Sequence, residues 1–216
     1  MPNLIEEIQR DASNDSIPAS QLLRRMKIAA SKLRLTELGE WVEHELQGYP
    51  DEENLPAYRV LGGVPMAFNR FRGWGMMQLG PDESMNISFS VILYTSSISE
   101  VEAHAGSSGP LYLSYPEFLE RACVQSQPGL DKIALSVDQG KFRTILSAVR
   151  NRALDWALAV EEAGVAGVGF SFTAEERIAA QNVTNNIYGN NARINQNSND
   201  SSVNRSVTRT PKPRYP

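Results

Sequence analysis

Apolar residues recur at spacings of three and four along the first fifty residues, which is the period of an amphipathic helix. The stretch Asn14-Asp15-Ser16 and the region near Thr36 divide this pattern. We expect Asp15 or Ser16 to cap the second helix, Pro18 to occupy its first turn and Gly48 to end the third. The pattern therefore predicts three helices, over residues 2–12, from Pro18 to about Leu35, and over residues 37–47.

Beyond Pro50 the apolar residues alternate with small or polar ones, which is the period of a strand with one buried face. Gly62-Gly63 indicates a bulge in the first of these stretches. A stretch rich in glycine and aromatic residues, Arg70 to Leu79, indicates a turn and a returning strand. The other predicted strands cover residues 58–68, 87–93, 111–115 and 133–137.

Three further helices are predicted in the second half of the chain. Two short ones run from Ile98 to Gly106 and from Pro116 to about Gln125, the latter with Phe118, Leu119 and Ala122 facing inward. The longest covers residues 140–163, and its sustained apolar stripe indicates a central packing element. We expect the charged residues of this helix to lie outside the middle of that stripe: Arg143, Arg150, Arg152 and Asp155.

Helices at both ends with strands between them predict an α+β fold. We expect an N-terminal helical hairpin and a long late helix packed on a small, mostly antiparallel sheet, followed by an Asn-rich C-terminal tail. The expected organisation is an α+β domain over residues 1–163, a hinge and short helix over 164–181, and a tail over 182–216. The tail ends in a basic, proline-containing stretch.

Composition narrows the class of protein. Of 216 residues, 41% are apolar and 21% charged, which is ordinary for a globular domain. The first residues carry acids and no apolar signal segment, and no run approaches the roughly 18 apolar residues of a membrane span. We therefore expect a soluble, cytoplasmic protein.

Charge is distributed unevenly along the chain. Residues 1–180 carry 16 basic and 24 acidic side chains, a net charge of −8, whereas residues 181–216 carry five and one, a net charge of +4. The overall charge of −4 makes no general case for a nucleic-acid or membrane partner. Residues 24–34 hold five bases and no acid, and residues 37–53 hold seven acids and no base. We favour ion pairs across a helical hairpin, with a basic face for phosphate or anionic lipid as the alternative.

Motifs for catalysis and metal binding are incomplete. His44-Glu45 begins a zincin motif that fails at Gly48, and Gly73-Trp74-Gly75 lacks the third glycine of a dinucleotide loop. The one cysteine, Cys123, excludes an internal disulfide and is typical of a buried structural thiol. We therefore assign no catalytic residue, no metal ligand and no cofactor, and we favour a protein that is not an enzyme over the alternative of a hydrolase.

The C-terminal segment has the most unusual pattern. Two segments, NVTNNIY and ARINQNS, flank Gly189-Asn190-Asn191, where a tight turn is easily formed. Stacked copies from several chains would form asparagine ladders, although a disordered linker and a contact with single-stranded nucleic acid stay open. The assembly hypothesis assigns oligomerisation to Val183, Asn186, Ile187, Gly189, Asn190, Ile194 and Asn195.

Residues 3–163 resemble the AbiTii domain of bacterial abortive-infection proteins. The most specific part of the resemblance is Trp41-x-x-x-Glu45-Leu46-x-Gly48-Tyr49. The asparagine-rich segment over 182–199 also resembles the tail of the family, with its Gly-Asn turns. The remaining carriers are the basic helix from Leu22 to Ala30, the stretch Leu55-Pro56-Ala57-Tyr58-Arg59-Val60 and the late helix from Ala148 to Leu158.

The resemblance implies phage defence and supplies no catalytic residue. Our main hypothesis is a non-catalytic sensor or effector module that assembles with itself through the tail, with a phage or host protein as a further partner. The alternative is a hydrolase of nucleic acid or nucleotide, in which Arg150 and Arg152 would hold a phosphate. A nucleic-acid binder using Arg24–Arg34 or the tail is less favoured. Glu45 and Arg59 form either a structural pair, which we favour, or a binding couple.

Overall fold

The computed structural model describes residues 3–77, 80 and 83–188. The described residues form eight α-helices and one short 3-10 helix, Ala57–Arg59. The predicted long late helix is confirmed within one residue at each end. The helices are α1 Leu4–Ala12, α2 Ala19–Leu33, α3 Thr36–Gln47, α4 Glu83–Phe89, α5 Ile98–Ala105, α6 Glu117–Ser126, α7 Gln139–Glu162 and α8 Ala174–Tyr188.

Six strands form two antiparallel sheets. A two-stranded ribbon pairs β1 with β4, and a four-stranded sheet has the order β3-β2-β6-β5. Every pairing is antiparallel, which confirms the predicted α+β class with small antiparallel sheets. The strands are β1 Val60–Gly62, β2 Val64–Asn69, β3 Gly73–Met76, β4 Val91–Leu93, β5 Leu111–Ser114 and β6 Lys132–Val137.

The helical hairpin of α2 and α3 forms as predicted, with a tight turn between the helices. Arg34 ends α2 in the left-handed region, with φ 60°, and Leu35 packs into the core. Gly48 ends α3 with φ 100°, and a Cβ there would lie 2.9 Å from the Thr95 carbonyl oxygen. A side chain is therefore excluded at Gly48 by both conformation and space.

The predicted cap of α2 is wrong. Pro18 occupies the cap position, and neither Asp15 nor Ser16 caps the helix by a side-chain hydrogen bond. The backbone N–H of Ser20 instead donates to the Glu102 carboxylate on α5, 2.9 Å away. A tertiary contact thus replaces the local cap.

The predicted strand over residues 87–93 is only half correct. Residues up to Phe89 belong to α4, and only Val91–Leu93 pair as a strand, with β1. Phe89 is buried in the core, and the Ser90 hydroxyl donates to the Asn86 carbonyl oxygen in the pattern of a helix end. Apolar residues spaced by two in a short stretch fit both periods, so the pattern could not separate them.

The inward face predicted for α6 is also wrong. Phe118 is 74% exposed, Ala122 is exposed, and no residue of the helix is fully buried. Leu119 and Cys123, one turn apart, are its partly buried apolar residues. The helix therefore packs along a narrow line instead of a broad stripe.

α7 is the central packing element. It packs against α1, α2, α5 and α8. No helix among the described residues is both long and apolar enough to cross a membrane. The α7 core residues that are completely buried are Phe142, Ile145, Val149, Ala153, Trp156, Ala157 and Val160.

Candidate functional site

The most highly charged part of the interior is an ion pair between Glu45 and Arg59. Glu45 lies on the last turn of α3, and Arg59 ends the 3-10 helix. Both side chains are completely buried, and Arg59 Nη2 donates to Glu45 Oε2 over 2.6 Å. The Nε of Arg59 also donates to Glu45 Oε1, at 3.3 Å, so the ion pair is bidentate.

Every remaining interaction of this pair is internal. Glu45 Oε1 accepts hydrogen bonds from the hydroxyls of Tyr49 and Tyr58, each at 2.7 Å. Arg59 Nη1 donates to the carbonyl oxygens of Tyr94, at 3.2 Å, and Ser96, at 2.5 Å. The pair therefore joins α3 to the segment between β4 and α5.

The two tyrosines are held as hydrogen-bond donors. Burial raises the pKa of the Tyr49 hydroxyl far above its ordinary value, and the adjacent Glu45 carboxylate raises it further. The same two causes, in the same order, raise the pKa of Tyr58. Both shifts favour the protonated hydroxyl, and each hydroxyl donates a hydrogen bond that stabilises the Glu45 carboxylate.

An aromatic cluster extends this network toward the end of α8. The Trp41 indole N–H donates to the Tyr58 hydroxyl at 3.0 Å. The guanidinium of Arg152 lies 5.3 Å from the Trp41 ring centre and 4.4 Å from that of Tyr188, a cation–π arrangement on two rings. Arg152 Nε is buried and has no hydrogen-bond partner among the residues described. Arg152 thus contacts the last described residue of the chain, Tyr188.

α8 is longer than predicted and is docked along its whole length. The predicted helix over residues 174–181 continues to Tyr188, so NVTNNIY is helical and is not the extended segment that an asparagine ladder requires. Thr184 is completely buried, and its hydroxyl accepts from the Trp156 indole N–H at 3.0 Å. The predicted boundary at residue 182 therefore falls within a helix.

A capping box starts α8. The Glu176 backbone N–H donates to the Thr173 hydroxyl, and the Glu176 carboxylate accepts from the Thr173 backbone N–H at 2.8 Å. The same carboxylate accepts from the backbone N–H of Gly167 at 2.7 Å. These bonds lower the pKa of Glu176, the bond from the Thr173 backbone most strongly. The Thr-x-x-Glu spacing was present in the sequence as a signal for this helix start.

Arg150 lies at the middle of α7, inside the protein, which contradicts its predicted outward position. Its Nη1 donates to the carbonyl oxygens of Asp11 and Asn14, at 3.0 and 3.1 Å, and its Nη2 donates to that of Ile17. Its nearest carboxylate, that of Asp15, is 3.8 Å from Nε. The guanidinium therefore fastens the end of α1 and the α1–α2 loop to α7 through three backbone carbonyl oxygens.

Arg150 and Arg152 are consequently occupied by the fold. Arg150 bonds backbone carbonyl groups and Arg152 lies between two rings. The structure places them in different environments of α7 and does not bring them together around one cavity. Their proposed role in holding a phosphate stays a prediction.

The predicted oligomerisation residues divide into two groups. Val183 and Ile187 lie on α8 and pack against the core, and Asn186 lies between them, exposed. Their assembly role stays a prediction. The other four fall outside the described residues: Gly189, Asn190, Ile194 and Asn195.

The basic helix α2 forms an ion pair across the hairpin, as one of the two alternatives predicted. Lys27 of α2 forms an ion pair with Glu43 of α3. Arg25 instead pairs with Asp11 and Glu7 of α1. The alternative of a basic face for phosphate or lipid stays a prediction.

The cysteine and the histidines are separate from one another in the fold. Burial raises the pKa of the half-buried Cys123 thiol. The His44 ring packs on Tyr49 and the His104 ring on Phe142, at 5.2 and 5.0 Å between centres. In the described ranges, no three His, Cys, Asp or Glu side chains are close enough to share a metal ion.

Comparison with known proteins gives one family. A family model described as AbiTii matches residues 3–185. The match includes α1 to α7 and most of α8, and therefore both the Glu45–Arg59 pair and the Trp156–Thr184 contact. No curated protein and no solved structure matches the chain.

Proposed function

The chain belongs to the AbiTii family of abortive-infection proteins, and from that membership we propose a non-catalytic sensor or effector module that assembles through its C-terminal segment. The family places the protein in phage defence. The proposal adds the manner of action: the folded body recognises a partner, and residues from 189 onward join copies of the chain.

The observation that carries the proposal is the docking of α8. Trp156 and Thr184 bond in the interior, and Arg152 holds Tyr188 against Trp41. The point where the asparagine-rich segment begins is therefore fixed on the body. A fixed starting point favours assembly, because copies that join through the segment then acquire a defined spacing instead of a loose tether.

The interactions of the buried charged side chains support a role without catalysis. Asp11, Glu45, Arg59 and Arg150 are the buried charged residues among those described, and each is engaged by partners within the chain. A general acid, base or phosphate ligand must instead face a substrate. Their engagement within the chain favours a stabilising role for these four residues.

The composition of the segment supports a second copy of the chain as the partner. Residues 189–199 contain five asparagines, at 190, 191, 195, 197 and 199, and one charged residue, Arg193. An asparagine side chain both donates and accepts hydrogen bonds, so identical chains in register satisfy one another. The observed helix over 174–188 limits this pairing to residues beyond 188.

The test compares phage protection by three versions of the chain: the full chain, residues 1–200 and residues 1–188. The cut at 188 keeps all of α8, whereas a cut near 175 would remove buried core. We expect the full chain and residues 1–200 to protect cells and residues 1–188 to lose protection, measured as plaque formation and culture survival. The 1–200 version is the control, because it removes only the basic, proline-containing end.

Equal expression and equal thermal midpoints of the three versions must accompany the comparison. Protection by residues 1–188 while that version is strictly monomeric would contradict the proposal.

A further inference from the structure

The four-stranded sheet packs one face on the core and leaves part of the other open to solvent, although Ala134 on that second face is buried. Ile133, Leu135 and Val137 of β6 are buried, at 2%, 0% and 0% exposure. Because successive side chains of a strand point to opposite faces, Lys132 and Ser136 of β6 lie on the other face. Their pairing partners Phe68 and Tyr112 share that face, and so does Trp74, which pairs with Phe68. Trp74 and Tyr112 lie on that face, at 36% and 40% exposure.

Three rings form a continuous row across the exposed face. Phe68 pairs in register with Trp74, and their ring centres are 5.2 Å apart. Trp74 stacks on Tyr112 with 4.6 Å between centres and 15° between planes. We call Phe68, Trp74 and Tyr112 the aromatic row. Tyr112 has no second ring partner among the residues described, so the stack is open at that end.

Cations flank the aromatic row on a body that is otherwise acidic. Lys132 lies in register with Phe68 on the same face, is exposed, and forms no ion pair with a described residue. The β2–β3 turn adds Arg70 and Arg72, and Asp131 pairs with Arg70. The neighbourhood therefore carries a positive charge, whereas residues 1–180 as a whole carry −8.

We propose that the exposed sheet face binds single-stranded nucleic acid, with a base stacked on the open face of Tyr112, which Trp74 supports from the other side, and phosphates held by Lys132 and Arg72. Every base has a flat π-face, so an exposed ring face recognises it without regard to sequence. The flanking cations are complementary to a phosphate backbone. An acyl chain has no ring to continue the stack, and a second copy paired face to face would bring Lys132 and Arg72 against like charges.

This site is distinct from the proposed assembly element. The aromatic row lies on β2, β3 and β5, whereas assembly uses residues beyond α8. Either proposal can fail without the other.

The experiment measures binding of short single-stranded DNA and RNA homopolymers of about 10 nucleotides, within the usual site size of such proteins. The full chain is used throughout. Its tryptophan emission is a direct reporter, because Trp74 is exposed while Trp41 and Trp156 are 7% and 0% exposed. Anisotropy of a labelled oligonucleotide gives the affinity of variants without Trp74.

Four variants separate the contributions. Trp74→Ala and Tyr112→Ala shorten the aromatic row, and Lys132→Gln removes a cation. Phe118→Ala is the matched control, since it removes an exposed ring, 74% exposed, from α6. Thermal melts establish that all four variants are folded.

The expected result is quenching of the wild-type emission and a loss of affinity of about tenfold for each ring variant, from the usual contribution of one stacked base. Phe118→Ala should bind as the wild type does. Lys132→Gln should lower the slope of log affinity against log salt by about 0.7, the value for one phosphate contact on a single strand. Stronger binding to RNA than to DNA would locate a 2′-hydroxyl contact within the same site.

Three outcomes would overturn the proposal. One is unchanged affinity in both ring variants, which would assign binding to the basic C-terminal segment. Another is a change of Trp74 emission with anionic lipid vesicles and not with oligonucleotides. The third is the absence of binding at low salt.

Discussion

Replacing Arg59 with methionine should lower the free energy of unfolding by about 3–5 kcal/mol, because the buried Glu45 carboxylate then loses its counter-ion. Methionine fills much of the volume of the arginine side chain, so the loss is electrostatic rather than a cavity effect. Two backbone carbonyl oxygens, of Tyr94 and Ser96, lose a donor as well.

The measurement is urea denaturation followed by circular dichroism. Arg121→Met is the matched control, since Arg121 and Glu117 form an ion pair of the same kind on the surface, with side chains 66% and 82% exposed. Its midpoint should be almost unchanged, because exposed pairs contribute little. Equal shifts of the midpoint for the two variants would show that burial does not govern the strength of the Glu45–Arg59 pair.

Replacing Trp156 with alanine should destabilise the protein by about 3–5 kcal/mol and release α8 from the body. Trp156 is completely buried in α7, and its indole N–H bonds to Thr184. Trp156→Phe loses that hydrogen bond and leaves a smaller cavity than alanine does, so its cost should lie below that of Trp156→Ala.

Limited proteolysis and denaturation together measure this effect. Cleavage within residues 174–188 should appear in Trp156→Ala before the body is cut. Leu158→Ala, on the same helix but with Leu158 48% exposed, is the control and should resemble the wild type. Resistance of α8 to protease in Trp156→Ala would contradict the assigned docking contact.

Sequence periodicity was most informative where a long stretch had one buried face. α7 meets this condition over 24 residues, and its bounds were predicted within one residue. Periodicity failed for short stretches such as Ile87 to Leu93, where a helix end and a strand share the same spacing. It also failed for α6, because the depth of burial of Phe118 depends on what packs beside the helix.

The positions of the polar groups depended on tertiary partners that no spacing encodes. The place of Arg150 inside the protein follows from its bonds to three backbone carbonyl oxygens, at the end of α1 and in the α1–α2 loop. The extension of α8 through asparagine and threonine, which are weak helix formers, follows from the Trp156–Thr184 bond. A local signal, the capping box at Thr173 and Glu176, was available and marks only the start of that helix.

Glu45 and Arg59 could be singled out in the sequence because both lie in the stretches that resemble the AbiTii family. Their complete burial and the two tyrosine donors favour the structural interpretation, which stays a prediction. The role of the residues beyond 188 stays a prediction, with only its starting point, Tyr188, fixed on the body.

The most direct test of assembly through the C-terminal segment is the solution mass of the full chain and of residues 1–188, measured side by side by light scattering or mass photometry. The proposal predicts a defined oligomer for the full chain and a monomer for residues 1–188, with equal thermal midpoints. The same oligomeric state for the two would contradict it and would remove the segment beyond Tyr188 as the assembly element.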